Sequence, residues 1–468
     1  MKSRKVQELI HVLSAIEKQE FVNWLTVELN GKQQGTLEMA IGLTRGDSVK
    51  ELWQFTYPSR PFPEKPYQDS GFRRREYQVS HQLERFLALK RIRSDKSLLQ
   101  LKLLEELKSR GAERIFVNTF NKTKRELQKE KKLDGSYYEY LYRLEREWRE
   151  YLLRIGNKKQ LEKNRSSLNF LMDTWWFHEK MRAVLMNLSQ DSAATMDPFM
   201  PPLLQYIRKH EVYGKVPLLI IYGEIYQMLT SNDLILAPRI QGWLKEHIDE
   251  IQEDIVQDIF NILHNYYVRN FNQTGEKGFT QSLWELYQWG IESGILLHEG
   301  VLSPGRYRNL LETGIRVGEL EQVWTYLSTL TSKLPVDSQE EEYRFNLGGY
   351  YAAKGDLKMA SRTLGGRFSH PHKEINARMK LLRLRYEEGE REDLEHELRA
   401  LRAFCRRNEN MNPVFRQNVV NEIKVFQSLI KAFHSTDFRK LSDQIDKTSP
   451  LVSRAWFRSQ AGIDPESI

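Results

Sequence analysis

A chain of 468 residues, 40% hydrophobic and 29% charged, with 21 Tyr, 21 Phe and 10 Trp, has too much aromatic surface and too little charge bias to stay unfolded. Its longest apolar run, Val216 to Tyr222, falls far short of the roughly 20 residues that cross a bilayer, and a single cysteine, Cys405, excludes an intramolecular disulfide or a cysteine-cluster metal site. The net charge of +8 is uneven: residues 1–165 carry 35 Lys and Arg against 23 Asp and Glu, the remainder 36 against 40, so the basic character belongs to the N-terminal third.

Lys2, Arg4 and Lys5 look like the start of an export signal, but Gln7, Glu8 and His11 interrupt the apolar core such a signal needs, so a cytoplasmic protein is expected. Val6, Leu9, Ile10 and Leu13 fall at helical spacing, and Ser14 to Glu17 fits a capping box that opens a second helix carrying Phe21, Trp24 and Leu25. Four prolines between Tyr57 and Tyr67 predict a stiff extended connector, since proline lacks an N–H and disfavours helix before it. Asp69 or Ser70 caps the next helix, with Phe72, Val79, Leu83, Phe86 and Leu87 on one stripe. A helix near Leu98–Leu107 stops at Arg110-Gly111, and a charged stretch from Phe116 to Leu133 follows. Ser136 to Glu139 opens a long helix whose alternating Arg and Glu, from Arg143 to Glu150, are expected to pair on its outer face. Val216 to Tyr222 reads as a buried helix.

From residue 303 a repeat emerges. Ser303-Pro304 places a capping hydroxyl before a proline at the first helical position. Gly318-Glu319, Gly355-Asp356 and Gly389-Glu390 then interrupt helical patterns at spacings of 37 and 34 residues, near the 34 of a tetratricopeptide unit. Leu347, Gly348, Tyr351, Ala360 and Leu364 fill the middle copy; Leu310, Val323 and Leu327 fill the first, and Leu381, Leu394, Leu398 and Leu401 the third. Four further stretches stand out at both ends of the chain: Leu13 to Phe21, Lys65-Pro66-Tyr67-Gln68-Asp69, Gly300 to Asn309 and Phe404 to Asn408. Through them the chain resembles uncharacterised tetratricopeptide-like helical repeat proteins of Bacteroidota. The resemblance implies a fold and supplies no activity.

The expected fold is therefore all-α: a TPR-like helical-repeat α-solenoid with an N-terminal helical domain. Its regions are 1–56 (helical), 57–68 (connector), 69–165 (basic helical), 166–300 (central hairpins) and 301–468 (degenerate repeats).

Motifs for chemistry are missing. No glycine-rich run closes on Gly-Lys-Ser/Thr, and no serine is flanked by glycines two residues away on each side. His178-Glu179 has Arg182 where a helical zinc site needs a second histidine, and His370-Pro371-His372 has no third ligand nearby. Trp175-Trp176-Phe177 has the composition of a ligand cage but reads as core, and Cys405 reads as structural. A non-catalytic protein-binding scaffold without cofactor or metal is the expectation. Its groove is drawn from Arg308, Glu312, Arg316, Phe345, Arg383 and Tyr386, and arginines there suit an acidic peptide because the guanidinium fork binds carboxylates. The alternative is nonspecific nucleic-acid binding through Arg73, Arg74, Arg75, Lys90, Arg91 and Arg93, which share one helix with Glu76 and Glu84 and show no accompanying aromatic motif.

Overall fold

The computed structural model describes residues 5–129, 134–190, 197–231, 233–390, 393–408, 411–435 and 438–462, with backbone alone over 433–435 and 438–439. Among them the chain is all-α, the one exception being a two-residue antiparallel pairing, β1 (Leu297–His298) with β2 (Val301–Leu302). No helix among the described residues is long and apolar enough to cross a membrane. The chain divides into two compact units, one built from residues 1–130 and 136–173, the other from 131–135 and 174–468.

The first unit opens with α1 (Lys5–His11), α2 (Ala15–Leu29), α3 (Gln34–Arg45), α4 (Val49–Thr56) and α5 (Ser70–Ser94). The predicted cap of α2 forms: Ser14 Oγ accepts from the Glu17 N–H at 3.2 Å and the Glu17 carboxylate accepts from the Ser14 N–H at 2.9 Å. Ser48 and Glu51 repeat the arrangement at α4, and the Asp69 carboxylate caps α5 through the Phe72 N–H at 2.7 Å. With their free N–H groups satisfied, these helices turn Phe21, Leu25, Met39, Leu52, Phe72, Val79 and Leu83 into one core. The proline segment touches the core at its start: Tyr57 and Phe62 lie against Trp53 at 4.8 and 6.4 Å between ring centroids, and the Arg60 carbonyl accepts from Trp53 Nε1, while Pro58, Pro61 and Glu64 are exposed.

The same unit continues through α6 (Lys96–Ser109), α7 (Glu113–Lys129), α8 (Gly135–Arg154) and the first half of α9 (Lys158–Gln190). Residues 130–133, at the end of the charged stretch expected after Phe116, lie outside the described residues. The Arg/Glu run of α8 behaves differently from its pattern. Arg143 pairs with Glu139 along the helix at 2.6 Å, but Glu145 and Glu147 are buried and pair across helices, with Lys124 and Lys108, each at 2.5 Å. Asn164 also donates to Glu145 at 2.6 Å, so the buried carboxylate is satisfied from two neighbouring helices.

The second unit begins with the other half of α9 and proceeds through α10 (Met200–Lys209), α11 (Pro217–Ser231), α12 (Leu236–Glu246), α13 (Glu253–Thr274) and α14 (Lys277–Glu292). The apolar run at Val216 is the buried start of α11, as its flanking pattern predicts. Then come α15 (Pro304–Val317), α16 (Leu320–Leu330), α17 (Gln339–Ala353), α18 (Leu357–Leu364), α19 (Pro371–Glu388), α20 (Leu394–Arg407), α21 (Pro413–Ser435), α22 (Phe438–Lys447) and α23 (Arg454–Gln460). From α13 onward each helix packs on the next, and in addition α15 packs on α17 and α17 on α19.

Three glycines punctuate α15–α20 at the spacings read from the sequence. Gly318, Gly355 and Gly389 each end a helix at φ of +90°, +84° and +81°, a conformation that only glycine adopts without strain. Each glycine N–H donates to the carbonyl three residues back, and the next N–H donates to the carbonyl five back. Counting from each glycine, Val323, Ala360 and Leu394 lie five residues on and Leu327, Leu364 and Leu398 nine on, and all six are buried. A Cβ at Gly348 would fall 2.5 Å from Leu364 Cγ, so α17 and α18 meet where that side chain is missing.

Candidate functional site

The face made by α15, α17 and α19 carries most of the predicted groove. Ser303 Oγ caps α15 by accepting from the Arg306 N–H at 3.3 Å, which fixes the helix start and puts Arg308, Glu312 and Arg316, four residues apart, on one stripe. Glu312 takes Lys380 of α19 at 3.0 Å. Burial opposes its charge, but Lys380, Arg316 and Arg308 outweigh that and hold the carboxyl below its usual range. Arg308 Nε lies 3.4 Å from the buried Glu342 of α17, which also meets Lys373 at 3.1 Å. Lys373 in turn pairs with Glu341 at 3.0 Å. Burial opposes the Glu341 charge as well; the Ser369 N–H, Lys373 and the Ser369 hydroxyl together hold that carboxyl at about 2.

Phe345 belongs to this face only as its floor. It is fully buried, with the Lys380 ammonium 4.3 Å over its ring and Phe368 at 5.8 Å, so it does not reach an external ligand. Arg316 is exposed and makes no ion pair among the described residues; its guanidinium rests 5.5 Å over the Phe271 ring. It is the cation of the six best placed to meet an outside carboxylate.

Arg383 and Tyr386 stand apart from these four. Arg383 pairs with the buried Glu422 of α21 at 2.6 Å, donates to the Ser453 hydroxyl and sits 5.6 Å over Trp456. Tyr386 is buried between Phe426 and Trp456, at 5.7 and 5.9 Å. Residues before α23 and in it therefore cover this end of α19, and both side chains hold the C-terminal helices in place. Sequence periodicity puts them on the first-helix stripe; it contains no sign that a later helix folds over that stripe.

The basic helix α5 divides as well. Arg75 turns inward, donating to the Thr56 carbonyl at 2.9 Å and stacking 4.3 Å over Tyr57, so close to α3 that a Cβ on Gly35 would fall 2.3 Å from the guanidinium. Lys90 pairs with Glu20 at 2.6 Å and Glu17 at 3.1 Å. Arg73, Arg74, Arg91 and Arg93 remain exposed, without an ion pair among the described residues. Accompanying aromatics are in fact present: Tyr77 is 70% exposed, with His81 one turn on at 6.4 Å between ring centroids.

The remaining candidates lie apart from these faces. Trp175, Trp176 and Phe177 occupy successive helical positions and point apart, with Phe177 buried and Trp176 exposed beside Phe199 at 5.4 Å. His178 is buried against Tyr222 at 5.8 Å, and burial pushes its imidazole down to about 3, so it is neutral at physiological pH. His370 caps α19 and His372 lies on Phe415 at 4.4 Å; no group of three metal-ligating side chains occurs among the described residues. Cys405 is fully buried, and burial raises its thiol pKa despite Arg416 and Arg378. No family model matches the chain, and neither does any curated protein or solved structure.

Proposed function

We propose that α15–α20 form a TPR-like solenoid and that the protein is a non-catalytic scaffold whose α15–α17–α19 face receives an acidic segment of a partner protein. The supporting observation is the threefold glycine-stopped hairpin in constant register, with the first helices packed side by side. Stacked helix pairs leave their first helices on one shared surface, which is their usual binding face. On that surface Arg316 offers an uncommitted guanidinium and Lys380 is committed only through a partly exposed pair with Glu312, while Arg308 is held by the buried Glu342. A carboxylate-rich segment would replace Glu312 as the partner of Lys380 while adding a bidentate contact at Arg316. Cytoplasmic residence and membership of the tetratricopeptide-like group of Bacteroidota belong to the same reading.

The test is a peptide array probed with the full chain. Glutamate- and aspartate-rich peptides should be retained over charge-neutral ones, and Arg316→Glu with Lys380→Glu should abolish that retention. Retention that is equal across the array, or unchanged in the double variant, overturns the proposal.

A further inference from the structure

The outer surface of α5 carries a continuous row that the groove does not use. Residues four apart on a helix form a ridge that advances about 6 Å and turns about 40° at each step, so a row of six winds about 200° round the helix. Along α5 this ridge reads Arg73, Tyr77, His81, Arg85, Leu89, Arg93; every member but Leu89 is exposed, and it spans about 30 Å. Tyr77 and His81 lie near-parallel, with 26° between their rings, and both side chains are exposed. Farther along, Arg85 lies 6.0 Å over Trp24 of α2, and Trp24 and Phe86, 5.7 Å apart, line a cleft of about 370 Å³ together with Glu20, Asn23, Lys90 and Arg93. The acidic groups beside the ridge are matched: Glu28 to Arg85 at 3.0 Å, Glu84 to Lys5 at 2.6 Å, and Glu17 and Glu20 to Lys90. Arg73, Arg74, Arg91 and Arg93 are left as uncompensated positive charge at the two ends.

We propose that this ridge binds single-stranded nucleic acid, with bases stacking on Tyr77 and His81 and entering the Trp24 cleft, and phosphates meeting the four arginines. Exposed rings select unstacked bases, because in a duplex each base face is already covered by its neighbour. An acidic protein segment would satisfy the arginines but would leave the rings and the cleft unused.

Fluorescence anisotropy of the full chain with a labelled single strand of about 15 nucleotides tests this, with the matching duplex and polyglutamate as competitors. Four phosphate contacts on a single strand predict affinity falling about 50-fold between about 50 and 200 mM salt, and only about 7-fold in Arg73→Gln/Arg74→Gln. Tyr77→Ala should weaken binding roughly 5- to 150-fold while Tyr77→Phe retains it, and circular dichroism should show both folded, as the side chain is largely exposed. No binding at the lower salt, competition by duplex or polyglutamate as effective as by unlabelled single strand, or unchanged affinity in Tyr77→Ala would each overturn the proposal.

Discussion

Two adjacent glycines on α17 should respond to the same substitution with opposite sign. At Gly348 an added Cβ would sit 2.5, 2.7 and 3.3 Å from three carbons of Leu364, a fully buried side chain in a core with Phe345, Ala360, Phe368 and Leu384. Overpacking of this kind costs about 1–3 kcal/mol, against about 1 kcal/mol gained by replacing glycine with alanine within a helix. Gly348→Ala should therefore destabilise the α17–α18 hairpin by about 1 kcal/mol net. At Gly349 the same Cβ would meet Lys380 Nζ at 3.5 Å and Ile315 Cδ1 at 3.8 Å, ordinary contacts, so only the helical gain remains. The two variants should then differ by about 2 kcal/mol, or about 30-fold in the local opening constant. Hydrogen exchange of α17 and α18 amides reads that quantity directly, and it does not require the two-unit chain to unfold in one step. Equal protection in both variants, or slower exchange in Gly348→Ala than in the parent, would refute the close helix approach from which the magnitude is worked.

Arg383→Ala leaves the buried Glu422 without its guanidinium and removes the layer between α19 and Trp456, so thermal unfolding should show a loss of about 3–5 kcal/mol with α21–α23 exchanging first. Glu341 and His178 both have folded-state pKa values below their ordinary ones, so each contributes stability above its unfolded value that is lost as pH falls: for Glu341 from about 4.5 toward 2, for His178 from about 6.5 toward 3. Urea midpoints measured across pH 7 to 3 should fall, and Glu341→Gln should flatten the acid limb below pH 4.5. Cys405 should resist iodoacetamide in the native protein and react fully in denaturant, with mass spectrometry as the readout.

Local signals in the sequence translated directly into structure wherever one short-range interaction decides the outcome. Ser14 and Glu17 cap α2, Asp69 caps α5, Ser303 caps α15, and the three glycines that interrupt the helical pattern do so at positive φ. What sequence did not convey depends on which helix lands on which face. Glu145 and Glu147 look like solvent residues in an alternating Arg/Glu run, yet α6, α7 and the first half of α9 enclose them. Phe345 has the periodicity of a groove residue, but Lys380 closes over it, and α23 brings Trp456 onto Tyr386. On α5 the triplet Arg73-Arg74-Arg75 reads as one basic patch, while Thr56 and Tyr57, on the far side of the proline segment, draw the third arginine inward. The i+4 alignment of Tyr77 and His81 with Arg73 was present in the sequence; the burial of Phe72, Val79, Leu83 and Phe86 establishes that this ridge is the outer one.

The central claim, an acidic-segment binding face on α15, α17 and α19, is tested most directly by hydrogen exchange of the full chain with and without a glutamate-rich peptide. The account predicts slowed exchange confined to α15, α17 and α19 that disappears in Arg316→Glu/Lys380→Glu. Protection that is absent, or that appears on α5 and not on these three helices, would contradict it.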